Sequence, residues 1–214
     1  MGAVTNLTKK EVANIQIDES LIFLDYGEAS ERFLAPTRGG GEFSATVTVR
    51  DIEFDGRTSK TAGMQSIDEQ AASVKVTTLC MSQENLALAI PNCKIGEAEG
   101  EAGTKAIENP ACGVIPEEAY LKNVTMFCKT LGGTFKKITI KNPMHENGLN
   151  FKAAPKAEGE LALELHAHSK IDGLNAPGNL WRVEDIKAMP TTTQTGTEAQ
   201  TAVTPDNSTN TEEQ

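Results

Sequence analysis

The chain has 214 residues, a formal net charge of −10 and an aromatic content of only 5%. This length suits one medium domain with tails. The acidic balance argues against a nucleic-acid-binding surface, because phosphate attraction needs clustered Lys and Arg, and the scarcity of rings argues against a stacking platform for single strands.

Cysteine spacing and hydropathy exclude further classes. The four cysteines, Cys80, Cys93, Cys112 and Cys128, form no CxxC pair, and no His stands at zinc-finger spacing, so we expect free thiols in a reducing compartment, with disulfides as the alternative. No run approaches 18 apolar residues and no charged-then-apolar leader opens the chain, so neither a membrane span nor a secretory signal is expected.

The chain divides into three parts by composition. Residues 1–14 are polar and predict an N-terminal arm. Residues 15–187 carry the apolar alternation of a β-domain, and its first strand lies within 15–26. Residues 188–214 are rich in Thr, Gln and Asn, and we expect a disordered tail.

The dominant stretch runs from Glu42 to Cys80 and predicts two long strands, Glu42–Asp55 and Glu69–Cys80, joined by a polar loop. Apolar and polar residues alternate with period two, the pattern of a strand with one buried face. The phase slips near Arg50–Asp51, which predicts a β-bulge there. The glycine run of 38–43 is expected to be a flexible lead-in.

The middle of the chain predicts one short helix. Ser82 is a good N-cap and Pro91 ends the pattern, giving one or two turns. Residues 96–118 are acidic and resemble a long loop, which in a compact domain is usually functional or interface-forming.

The second half predicts more strands. The stretch Tyr120–Lys141 is expected to be a β-hairpin about a two-residue turn at Gly132–Gly133. Gly159–His168 alternates cleanly, with Leu161, Leu163 and Leu165 inward, and Leu180–Ile186 is expected to be the last strand.

Motifs for chemistry are weak. His166 and His168 with Glu164 have the alternation of a metal-binding strand face, but a solvated or interfacial face is the preferred interpretation, and we expect no metal site and no cofactor. No nucleophile elbow and no Walker A motif appears. The sequence therefore does not predict an enzyme.

The order of elements resembles the tail tube protein, or major tail protein, of long-tailed (siphovirus-type) bacteriophages. The resemblance rests on "VTVRDIEFDGRTSKTAGMQSIDEQAASVKVTTL", residues 47–79, and on "ELALELHAHSKID" and "LWRVEDI" near the end, and it spans about residues 12–187. It implies a β-sandwich of two packed sheets with a short flanking α-helix. Long β-ribbons from each copy would close an inter-subunit barrel.

The resemblance also implies a function. Subunits would form stacked, hexameric rings of a tail tube, the conduit through which DNA is ejected into the host without specific binding. Partners would be further copies, the tape measure protein and the tail terminator or distal tail proteins. The protein would be located in the virion tail after synthesis in the host bacterial cytoplasm.

Two sets of residues are candidates for this assembly. We expect the lumen to be faced by Glu42, Ser44, Thr46, Thr48, Ser73, Lys75 and Thr77. We expect contacts between rings from Arg57, Lys60, Asp68, Glu69, Glu97 and Glu99. The alternative from a different class is a β-sandwich module that binds a carbohydrate or a host surface, which the single Trp and two Tyr disfavour.

Overall fold

The computed structural model describes residues 7–18, 20–98, 103–170 and 179–189, and within them the fold is mainly β, as the sequence predicts. Two short α-helices, α1 (Lys9–Ala13) and α2 (Gln83–Leu88), and a 3-10 turn at Glu117–Ala119 accompany the strands. In chain order the strands are β1 Leu21–Leu24, β2 Arg32–Phe33, β3 Thr37–Asp51, β4 Gln65–Thr78, β5 Lys94–Glu97, β6 Lys105–Glu108, β7 Asn123–Lys129, β8 Phe135–Lys141, β9 Met144–His145, β10 Phe151–Ala154, β11 Ala157–His166 and β12 Trp181–Ile186.

Two antiparallel sheets form the sandwich. The first has the order β12-β8-β7-β1-β2, and the second has the order β10-β11-β4-β3, with β9 also paired to β11. β5 and β6 form a separate two-stranded sheet. In the second sheet, β3 therefore lies at one margin and β9 and β10 lie at the other.

The core lies between the two sheets because each contributes one apolar face. From the first sheet it takes Ile22, Leu24, Val124, Met126 and Ile140, and from the second Ala72, Val74, Val76, Leu161, Leu163 and Leu165. The predicted inward leucines of β11 are confirmed, at 0–2% exposure. α2 covers one end of this core through Leu86 and Leu88, and Ser82 caps it by accepting a hydrogen bond from the Asn85 backbone N–H, as the sequence predicts.

The predicted long ribbon is present, but its bulge is not where the sequence places it. The prediction of a bulge at Arg50–Asp51 is wrong. The register of β3 with β4 shifts between the pairs Thr48–Glu69 and Val49–Ile67, so the extra residue is Asp68 on β4. The alternation of β3 breaks after residue 50 because the strand ends at Asp51. The phase slip in the sequence therefore marks the end of β3 and not a bulge within it.

The glycine run is part of β3 and not a loose lead-in. Gly39 and Gly40 have positive φ (75° and 71°) and form an irregularity in the pairing with β4. At Gly41 a Cβ would stand 2.8 Å from side-chain atoms of Ile22 and Met126, and the Gly41 N–H donates to Ser20 Oγ at 2.7 Å. Glycine leaves room there for the Ile22 and Met126 side chains of the other sheet, which an added Cβ would have to displace.

The second hairpin is confirmed, with a longer turn than expected. Thr130 N–H donates to Thr134 C=O at 2.9 Å, so the loop has three residues, Leu131 to Gly133, with Gly133 at φ 79°. Residues 13–17 run beside this turn: Leu131 N–H donates to Ile15 C=O, and Gly132 N–H donates to Ala13 C=O. The expected arm thus includes α1, whose Thr8 and Glu11 form a capping box.

The sequence predicts a loop throughout the acidic segment 96–118, and this prediction is wrong. It contains β6 and the end of β5, with Ile95 opposite Ile107. Each strand has four residues, rich in Lys, Glu, Gly and Ala, which have low β-propensity, so the pattern was too short and too polar to detect. The expected C-terminal tail falls outside the described residues apart from positions 188 and 189.

Candidate assembly surface

The β3–β4 ribbon extends beyond the sandwich. β11 pairs with β4 only from Ser73 to Thr78, and a single further backbone bond joins Ala167 to Ala72. Residues 46–51 of β3 and 65–71 of β4, which we call the distal ribbon, therefore pair only with each other within the described chain. An isolated two-stranded hairpin is at best marginally stable in water.

The outer edge of this ribbon lacks the usual protection. The edge stretch 44–49 reads Ser-Ala-Thr-Val-Thr-Val, with no charge, no Pro and no Gly, and the bulge lies on the partner strand. Natural proteins shield exposed edges with Lys, Pro or bulges because unpaired N–H and C=O groups recruit other strands. β12, the margin of the first sheet, carries such charges: Lys136–Asp185 is an ion pair, and Glu184 pairs with both Lys137 and Arg182.

One face of the distal ribbon is mainly apolar and is not covered by any described residue, with Gln70 as a polar member opposite Val47. It continues the core face of the second sheet, because Ala45 lies opposite buried Ala72, and Val47 and Val49 follow on the same strand. Val47 is 51% exposed, Val49 53% and Ile67 58%. A contiguous exposed apolar patch of this kind is typical of an interaction site.

The opposite face collects the predicted lumen residues. Glu42 lies opposite Lys75, Ser44 opposite Ser73, and Thr77 opposite Arg38, so the seven candidates share one face of the second sheet. Lys75 also pairs with Glu164 of β11 at 3.2 Å. Ser73 is buried, while Glu42, Lys75 and the two threonines of β3 are exposed.

Charges at the ribbon's tip are largely neutralised within the chain. Asp51 accepts a hydrogen bond from Gln65 at 3.0 Å and pairs with Lys60 at 3.3 Å and Arg57 at 3.5 Å. The Gln65 hydrogen bond, followed by the Lys60 and Arg57 interactions, holds the pKa of Asp51 below its ordinary value. The tip is thereby fixed by local contacts.

The predicted inter-ring residues divide into engaged and free groups. Arg57 is engaged: its guanidinium donates to Ser59 C=O at 2.7 Å and to Ile52 C=O at 2.9 Å. Asp68 is engaged with Arg50 at 2.7 Å. Glu69 and Glu97 are exposed, Lys60 is exposed apart from its contact with Asp51, and Glu99 lies outside the described residues.

The histidines do not converge. His166 contacts Glu164 at 3.7 Å, whereas His168 contacts Glu146 at 2.9 Å, so each imidazole faces a different carboxylate. No group of three or more His, Cys, Asp or Glu in the described parts of the chain is placed to hold a metal ion. All four cysteines are free thiols, and burial raises the pKa of the Cys128 thiol.

Two buried polar residues escaped sequence reasoning. His145 is buried, its Nδ1 accepts from the Glu164 N–H at 2.9 Å and its Nε2 donates to Gly148 C=O at 3.1 Å, so it joins β9 to β11. Asp25, at φ 51°, accepts from the Lys122 N–H at 2.7 Å and from the Ser30 hydroxyl at 2.8 Å. Glu164 is distant in sequence from His145, and Lys122 is distant from Asp25, so no local pattern could reveal these two contacts.

No protein-family model and no curated protein matches this sequence. A chain of a solved structure described as "Virion of native gene transfer agent (GTA) particle" is similar to this chain with a TM-score of 0.40 and 11% identity, over 71% of this chain and 92% of that one. At that TM-score the likeness carries no argument about function. Among the described residues, no helix has the length and apolar character that crossing a membrane requires.

Proposed function

We propose that this chain is a structural virion protein that assembles with copies of itself into stacked rings, the tube of a bacteriophage tail. The ring would hold six subunits, the number that the sequence resemblance implies. DNA would pass through the tube without specific binding, and the role is structural and not catalytic. The tape measure protein and the tail terminator or distal tail proteins are the proposed partners, and the virion tail is the proposed location.

The observation that carries this proposal is the unprotected edge of the distal ribbon. A 15-residue edge strand with an uncharged stretch at 44–49 has a row of backbone groups with no partner in the described chain. The obvious partner is another sheet margin. Ring closure removes free edges altogether, which is why a closed assembly of copies fits better than a monomer.

The strand directions of the second sheet support side-by-side assembly. Each neighbouring pair in the order β10-β11-β4-β3 is antiparallel, so β3 runs opposite to β10. A second copy displaced along the sheet would bring its β10 margin to β3 in the antiparallel sense, without turning either sheet over. The polar face with Glu42, Lys75 and Glu164 would then line one side of a continuous sheet, and we propose that it faces the lumen.

Negative-stain electron microscopy and mass photometry over a range of protein concentrations test the proposal. We expect rings or tubes from the wild-type chain and their loss in Val47→Lys, because a lysine on the edge strand opposes strand addition. Ile95→Lys is the matched control, since Ile95 is 41% exposed on β5, away from the ribbon. A monomer at every concentration and salt would overturn the proposal, and saturable glycan binding by such a monomer would support the binding-module alternative instead.

A further inference from the structure

A hollow opens on the margin of the sandwich opposite the ribbon. Its volume is about 610 Å³, and it lies between α2, the residues that follow α2, the segment 114–121 and β9. Its larger apolar lining residues are Leu88, Ile90, Val114, Leu121, Met144 and Leu165. Leu165 is 1% exposed, and Leu88 and Leu121 pack against the core. The hollow therefore borders the core, and its exposed apolar surface comes from Val114, at 96% exposure, and from the partly exposed Leu88, Ile90 and Leu121.

The polar groups of the hollow do not fit a charged or small polar ligand. Glu84 and Lys105 form an ion pair, leaving Lys94 and Glu118 with opposite charges, so the rim has no net charge. Both ring nitrogens of His145 are already hydrogen-bonded. Small-molecule sites have a few polar groups aimed at the ligand, and the described lining offers none that is buried and unpaired.

The two margins of the second sheet are complementary. At the β3 margin the apolar core face extends past the body as Val47, Val49 and Ile67, and no residue that the structure describes lies over it. At the β9 margin the partly exposed Leu88, Ile90 and Leu121 line an open hollow beside the buried core. The β3 margin therefore has an exposed apolar face, and the β9 margin has an open apolar hollow.

We propose that the apolar face of the distal ribbon of one copy covers the hollow of the next copy. This inference rests on the proposed side-by-side assembly and adds an apolar contact to the strand pairing. The same displacement that brings β3 to the β9 and β10 margin places the ribbon's core-side face towards the hollow, because both belong to the core side of one sheet. A heterologous contact of this kind closes into a ring or continues as a filament, and it needs a second copy and no other partner.

Native Cys93 lines the hollow and provides a test by cross-linking. In a Cys112→Ser background, Val49→Cys is treated with a short bis-maleimide under assembly conditions. We expect covalent dimers and higher species, and their loss when Cys93→Ser is added. Thr48→Cys is the matched control: it is the adjacent exposed residue on the opposite face of β3, and we expect it not to cross-link to Cys93.

A second variant tests the hollow without changing the ribbon. Val114 is 96% exposed, so Val114→Asp leaves the fold of the single chain intact, and we expect it to raise the protein concentration needed for assembly. Ile95→Asp serves as its control. Rings that form without cross-linking through Val49→Cys, or that are insensitive to Val114→Asp, would overturn this inference and leave the proposed function standing. Absence of any assembly in the wild-type chain would overturn both.

Discussion

The two long hairpins of this protein share one sequence pattern and have different surroundings. The hairpin β7–β8 lies in the middle of the first sheet, with β1 on one side and β12 on the other. The ribbon β3–β4 has β11 beside only its proximal part. Alternation in the sequence thus indicates which residues share a strand face. It does not indicate whether other residues pack against that face.

The burial of equivalent residues makes the contrast quantitative. Ile140 of β8 is 0% exposed, whereas Ile67 of β4 is 58% exposed, although both lie on apolar strand faces. Residues of the β7–β8 hairpin stabilise the single chain. Residues of the distal ribbon have apolar surface that the described part of the single chain leaves exposed.

The largest expected effect is the difference in free energy of unfolding between substitutions at Ile140 and at Ile67. Ile140→Ala should lower the free energy of unfolding by about 2–5 kcal/mol, because it opens a cavity in the core. Ile67→Ala should change it by less than about 0.5 kcal/mol in the monomer, as for most exposed substitutions. Urea denaturation of both variants at a protein concentration below assembly measures the difference, and equal destabilisation would show that the distal ribbon is buried in the single chain.

An intermediate effect is expected where the ribbon enters the body. Gly41→Ala should lower the free energy of unfolding by about 1–3 kcal/mol, because the added methyl overlaps Ile22 and Met126 in a packed interior. Gly96→Ala is the control, since a Cβ there meets nothing within 4 Å and the backbone is extended. If Gly41→Ala and Gly96→Ala denature alike, the close approach of the two sheets at Gly41 is wrong.

The smallest effect concerns the third hairpin, β5–β6, which Glu84 of α2 contacts through Lys105. The Lys105 ion pair lowers the pKa of Glu84 from 4.5 to about 2. Because the folded pKa is depressed, the stabilisation is present above pH 4.5 and is lost as the pH falls towards 2. The difference in unfolding midpoint between wild type and Glu84→Gln should therefore shrink over that interval.

Glu97→Gln on β5 provides the comparison for this pH series, because Glu97 is exposed and forms no ion pair within the described chain. It measures, over the same pH series, the effect of removing an exposed carboxylate that forms no ion pair in the described chain. A wild-type to Glu84→Gln difference that stays constant between pH 4.5 and 2 would contradict the assigned pair.

The sequence alone determined the mainly β fold, the capped helix at Ser82, the inward leucines of β11 and the common face of the seven polar ribbon residues. These follow from periods of two and from capping chemistry, which are local. The location of the bulge at Asp68, the role of Gly41, the buried contacts of His145 and the exposure of Val47 and Val49 depended on tertiary structure. They depend on which strands lie side by side and where a neighbouring strand ends, and local alternation contains no information about either.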